Sequence, residues 1–286
     1  MTTLAQRPAS LTGAATLRTL AGLEARRYAL HPLFLVGVAL LAAVTIANSD
    51  NLDAAAGIET LLPAFLLGLL GVFVGHQLTR SIAPSTEAVE AAPADGVTRT
   101  GALCLACLVP GAVAVVWVAS MYLAMAASHF PDSAAISPAG RAGRLGAAVA
   151  AAVGGPLFGV MVGRWTRFPG AGLLAAVVLV GWTLLGTFGL QMPASRPGTL
   201  IHLNPPFTSW VSADGPHQPR WVAGGSPWWY LVYLILLCGL AMSGALLHEA
   251  RGAQRSRLLR LLLTLALLAV ASLGLAAAAD PTRIPL

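Results

Sequence analysis

This sequence predicts an all-α, polytopic membrane protein with about seven transmembrane helices, and three observations carry the expectation. Seven long apolar stretches run near Leu33–Asn48, Thr60–Gln77, Gly101–Ala126, Leu145–Gly163, Pro169–Leu190, Trp228–Leu247 and Leu258–Ala279; none contains Asp, Glu or Lys, and the one Arg among them, Arg260, stands at the start of the last. Most approach the ~20 residues that a helix needs to cross a bilayer. Hydrophobic residues make up 57% of the chain and charged residues 10%, where a soluble domain carries about 25% charged residues. A water-facing surface cannot be built from this composition. Finally, all 17 basic residues are Arg, and they sit in small groups between the stretches, where the topology rule for membrane loops accounts for them. Nucleic-acid binding is therefore not needed to explain the positive charge. So little chain is left over that 1–286 reads as a single transmembrane domain with no soluble catalytic domain.

Orientation follows from the Arg distribution. With the N-terminus in the cytoplasm, the inner segments carry Arg7, Arg18, Arg26, Arg27, Arg80, Arg99, Arg164, Arg167, Arg251, Arg255, Arg257 and Arg260. The outer segments carry Arg141, Arg144, Arg196, Arg220 and Arg283. The bias predicts a multi-pass protein of the cell membrane with a cytoplasmic N-terminus and, after seven spans, an outer Asp280–Leu286. Residues 1–30 read as a cytoplasmic tail and an amphipathic helix rather than a cleavable signal. Leu17, Leu20, Leu23 and Leu30 recur at helical spacing, while Arg18, Glu24 and Arg26 point elsewhere; this is the pattern of a helix lying on the membrane surface. Pro32 marks the turn into the first span.

Residues 79–100 form a cytoplasmic loop with its own short helix. Pro84 and Pro93 bracket it, Ser85 caps it, and Glu87 falls in the first turn, where the helix dipole favours a carboxylate. Two turns of helix do not persist alone in water, so a partner or the membrane domain must cover them. Residues 191–227 form a long outer segment rich in Pro and aromatics, expected to fold as a cap because long structureless loops are uncommon in compact domains. Trp228, Trp229 and Tyr230 read as an aromatic belt at the outer headgroups. Gly155, Gly159 and Gly163 on one helix, and Gly68, Gly71 and Gly75 on another, are small-residue stripes of the kind that let helix backbones approach. Cys104, Cys107 and Cys238 lie inside spans and read as small packing residues.

Catalytic chemistry finds little support. A phosphate-binding loop in its usual form needs a Lys, and the chain has none. Neither a His-Glu-x-x-His motif nor a His, Asp and Glu cluster with metal-ligand spacing occurs. Ion-driven carriers usually place carboxylates or His within the membrane, and no apolar stretch holds an acid. Transport, if that is the task, must draw its energy from another polypeptide.

The order of parts resembles the permease subunits of type-2 ABC exporters. An amphipathic elbow at Ala14–Leu30, a short cytoplasmic helix at Ser85–Ala92 between spans two and three, and an outer cap between spans five and six share that layout. Glu24-Ala-Arg-Arg27 ahead of His31-Pro32, with Arg18, is similar to what such permeases carry before their first span, and so is the polar Ser85–Glu90 run. The resemblance implies a six-span permease core, here with one extra C-terminal span. It implies that the short helix is a coupling helix whose Ser85, Thr86, Glu87, Val89 and Glu90 dock on a separate ATP-binding cassette subunit, present in two copies. ATP and Mg are then expected on that partner, with no cofactor in this chain, and a second permease subunit, identical or homologous, completes the complex. The function so implied is ATP-driven export of an amphiphilic or hydrophobic cargo, the chain itself not being an enzyme. The Lys-free, Ala- and Arg-rich composition points to a bacterium of high genomic GC content. Two other readings stand beside it: a structural or assembly subunit of a membrane complex, and an intramembrane enzyme assembled from loop residues such as His129, Asp132, His202 and His217.

Overall fold

Proline and glycine decide where the helices of this chain begin, bend and approach one another. The computed structural model describes residues 13–47, 61–81, 95–127, 138–166, 168–191, 195–208, 210–213, 220–222, 224–279 and 284–285. Helix α1 (Gly13–Ala29) meets α2 (Pro32–Ala47) at 59° across Leu30 and His31. Pro32 accounts for the break, since its ring disfavours a helical residue before it while suiting the first turn of the helix that follows. Six helices are long and apolar enough to cross a membrane, or seven if the bent pair counts as one span. Leu23 and Leu30 are exposed. Its buried residue is Tyr28, whose ring stands edge-on to Phe34 at 5.2 Å.

The second span is α3 (Leu61–Ser81), π-helical over Ala64–Leu69. The third apolar stretch is one candidate span, Gly96–Met121, with a local break: α4 (Gly96–Ala106) and α5 (Leu108–Ala127) meet at a turn at Cys107. Pro110 explains the break, because it offers no N–H to the Ala106 carbonyl and its ring crowds it. The Cys107 N–H instead reaches the carbonyls of Leu103 and Cys104 at 3.3 and 3.2 Å.

Next come α6 (Pro138–Trp165), α7 (Ala171–Gln191), the short α8 (Arg196–Leu203), strands β1 (Val211–Ala213) and β2 (Arg220–Val222), α9 (Pro227–Glu249), α10 (Gly252–Ala278) and β3 (Ile284–Pro285). The helices run past the apolar stretches, so that Arg80, Arg99, Arg144, Arg164 and Glu249 all lie within the end turns of candidate spans. Antiparallel neighbours collect Arg27, Arg80, Arg99, Arg164 and Arg251 at one end of the bundle, hereafter the Arg-rich end.

At the opposite end, the segment between α7 and α9 folds as a cap. The cap departs from an all-helical chain: β1 pairs antiparallel with β2 in the register Val211↔Val222, and β2 pairs with β3 through Trp221↔Pro285. The cap is riveted to the spans by tyrosines. Tyr230 is 1% exposed, donates its hydroxyl to the Pro205 carbonyl at 2.8 Å, and meets the buried Trp210 ring edge-on at 5.6 Å. It is therefore a core residue and not part of an aromatic belt, whereas Trp228 and Trp229 are exposed. Tyr233 donates to the Asn204 carbonyl at 2.7 Å. Gly225 adopts φ +113°, which glycine tolerates; a Cβ there would press on Leu203 and the Ala276 carbonyl, which accepts from Ser226 N–H at 2.9 Å.

Candidate functional site

Helix α6 is the hub, packing most extensively against α9 on one side and α3 on the other. The α3 contact is made backbone to backbone. A Cβ at Gly155 would overlap the Gly68 carbonyl, one at Gly159 the Val72 carbonyl, and one at Gly75 the Pro156 carbonyl. The Pro156 ring fills the notch left by Gly71, lying 2.7 Å from where its Cβ would be. Thus the two glycine stripes, with Gly163 against Thr79, face each other across one interface. Pro156 lies inside α6 and removes a helix hydrogen bond directly after Gly154 and Gly155. This is a site where a helix bends readily.

On its other flank, α6 forms the floor of a cavity of about 360 Å³, within the 300–1,000 Å³ usual for small-molecule pockets. Ala151, Gly154 and Phe158 of α6 supply the floor, Val178, Leu179 and Trp182 of α7 one wall, and Leu234, Cys238 and Ala241 of α9 the other. Phe207 from the cap closes one end, and Leu262 of α10 borders it. No carboxylate, imidazole or cation reaches it among the described residues. The outward faces of α7 and α10 are apolar and exposed, including Leu174, Val177, Leu184, Leu263 and Leu267; a bilayer would cover such faces.

At the Arg-rich end, an ionic cluster ties three helices. Arg164 of α6 donates Nη1 to Glu249 Oε1 of α9 at 3.3 Å, and His248 Nδ1 lies 3.1 Å from the same oxygen. Both members of the pair are largely sheltered, at 15% and 26% side-chain exposure. The other Glu249 oxygen lies over Gly96, 2.6 Å from where a Cβ would stand. That sets a carboxylate at the N-terminus of α4, where the helix dipole favours it. Asp95 caps the same helix by accepting from Thr98 N–H at 3.0 Å; hydrogen bonding to Thr98 holds its carboxyl below the usual range. Trp165 adds an indole N–H to the Gly244 carbonyl at 2.9 Å.

The remaining predicted residues are placed as follows. Arg27 forks to Glu24 at 2.9 Å and reaches Ser81 of α3 at 2.9 Å, binding the α1–α2 bend to the end of α3; Arg18 and Arg26 are exposed. His31 accepts the Leu33 N–H on Nδ1, so its Nε2 donates to Gln77 Oε1 at 2.9 Å. The coupling-helix residues Ser85, Thr86, Glu87, Val89 and Glu90 lie outside the described residues, as do His129, Asp132 and His217. His202 sits in α8, buried against the Thr208 hydroxyl at 3.1 Å. Sequence reasoning missed the Arg164–Glu249 tie, because residues so far apart in the chain show no shared pattern. The cavity was equally hidden, since its walls are ordinary apolar helix faces. No protein-family model, curated protein or solved structure matches the chain.

Proposed function

We propose that this chain is the membrane-spanning permease subunit of an ATP-driven ABC exporter, moving a hydrophobic or amphiphilic cargo. The observation that carries the reading is the apolar cavity between α6, α7 and α9, with no ionisable acid, base or His among its described lining residues. A site of this kind suits an acyl or other hydrophobic group and offers nothing with which to couple transport to protons or sodium. Energy must then come from a second polypeptide. The order of parts agrees: α1 meets α2 at a 59° bend, and a folded segment closes the end between α7 and α9. In this reading α1 is the elbow helix at the cytoplasmic face, the Arg-rich end is cytoplasmic, and Ser85, Thr86, Glu87, Val89 and Glu90 dock on the ATPase. ATP-driven closure of two ATPase subunits would work on α3, and through the glycine interface on α6, whose proline-interrupted segment Gly154-Gly155-Pro156 borders the cavity.

The test is purification of the chain from its native membrane. A soluble ATPase with a phosphate-binding loop should accompany it, and the double variant Glu87→Arg, Glu90→Arg should lose that partner while inserting at normal levels. Reversed charge at a docked interface can cost several kcal/mol. Recovery of only membrane partners would favour the assembly-subunit reading, and ATP hydrolysis by the isolated chain would overturn the permease assignment.

A further inference from the structure

A second cavity, of about 440 Å³, lies at the Arg-rich end between the last turn of α3 and the start of α7. Its chemistry differs wholly from that of the apolar one. His76, Gln77 and Arg80 line it from α3, and Gly172 and Leu173 from the first turn of α7. His76 is only 3% exposed, yet its Nε2 has no hydrogen-bond partner. Buried polar atoms are rarely left so without a reason. Gln77 has committed its carbonyl oxygen to His31, which leaves its amide hydrogens as donors. Gly170, immediately before the 21-residue α7, has no side chain with which to cap the helix; the Ala171 and Leu174 N–H groups reach the Phe168 and Gly170 carbonyls, and Gly172 and Leu173, between them, line the cavity at the positive end of the helix.

Among the described residues no acid balances this charge. The acids among the described residues are engaged elsewhere: Glu24 with Arg27, Asp95 with Thr98, and Glu249 with Arg164. A guanidinium, an amide, a buried imidazole and a helix N-terminus thus converge with no acid among the described lining residues. Phe73 adjoins them, and Leu173 is 59% exposed beside them on the bundle surface. Donors of this kind at a helix N-terminus bind oxyanions.

We propose that this cavity binds a phosphate group, held by Arg80, Gln77, His76 and the N-terminus of α7, carried either by an anionic lipid headgroup or by a free phosphate species. The apolar Phe73 and Leu173 flank give an acyl chain a surface to follow. The site is independent of the transport reading, and its test does not involve an ATPase.

Full-length protein is placed in nanodiscs of phosphatidylcholine with and without phosphatidylglycerol, and lipid retention is read by native mass spectrometry. In parallel, inorganic phosphate is titrated calorimetrically. For a lipid phosphate, phosphatidylglycerol is retained over phosphatidylcholine. Arg80→Gln weakens that retention about tenfold, the loss expected for one charge-assisted hydrogen bond. Arg255→Gln, which removes an exposed Arg of the same end, leaves retention unchanged. For a free phosphate species, inorganic phosphate binds and Arg80→Gln weakens it while the lipids are not distinguished. A photoreactive phosphatidylglycerol on the unaltered protein needs no variant to fold, and should label peptides containing Phe73–Arg80 or Gly172–Leu173. Equal losses with Arg80→Gln and Arg255→Gln would mean general surface attraction and overturn the site. So would the absence of both phosphate binding and lipid preference, or labelling confined to other peptides.

Discussion

Gly155→Ala adds one methyl group where α3 and α6 leave no room for it. A Cβ on Gly155 meets the carbonyl oxygen, carbonyl carbon and Cα of Gly68, backbone atoms that cannot rotate aside. The helices must therefore part by about 1.5 Å before ordinary contact near ~3.5 Å returns. Because helices are stiff, the neighbouring crossings part too: Gly159 over Val72, Gly163 over Thr79 and Gly75 over Pro156. With about ten atom pairs at each crossing, each losing roughly half of a ~0.15 kcal/mol well, the cost is about 3 kcal/mol. Alanine returns about 1 kcal/mol of helix propensity, so the net loss is about 2 kcal/mol. Gly181→Ala makes the same chemical change where nothing lies within 4 Å of the new methyl, and should be neutral or up to about 1 kcal/mol stabilising. The assay heats purified protein in detergent and follows the fraction that stays monodisperse. Gly155→Ala should melt roughly 4–8 °C lower and Gly181→Ala no lower than the parent. If the two variants melt together, the facing glycines are not a close-packed interface and the reasoning fails.

Three further expectations address the ties at the two ends. Glu249→Gln should destabilise by about 2–3 kcal/mol, because Arg164 is left sheltered and unpaired, while Arg164→Met with Glu249→Leu should cost less than either single change; a double-mutant cycle in the same melting assay measures it. Tyr230→Phe removes the donor to the Pro205 carbonyl and should cost about 1–2 kcal/mol, seen as faster proteolysis of the cap, whereas the exposed Trp229→Phe should change little. Asp95 has its carboxyl lowered by Thr98, so its capping contribution is fully present above the ordinary carboxylate range and is lost as pH falls through its depressed value. Asp95→Asn should keep a cap yet flatten that part of the stability profile, measured by melting across acid pH.

The sequence by itself determined the class of the molecule and the break between its first two helices. Seven long apolar stretches leave no water-facing surface to build, and as helices they satisfy their own backbone in lipid, while Pro32 opens a helix by a local rule. The glycine stripes at Gly68, Gly71 and Gly75 and at Gly155, Gly159 and Gly163 were visible as patterns of spacing. That they oppose one another, with Pro156 set into the notch at Gly71, only the tertiary structure decided, since spacing along one helix names no partner. The same limit hid the π-helical turn at Ala64–Leu69, the burial of Tyr230, the Arg164–Glu249 tie and both cavities. Each depends on which faces of distant helices meet, and in a chain whose spans are apolar all round, hydrophobic periodicity does not single out the face that packs against protein from the face that meets lipid.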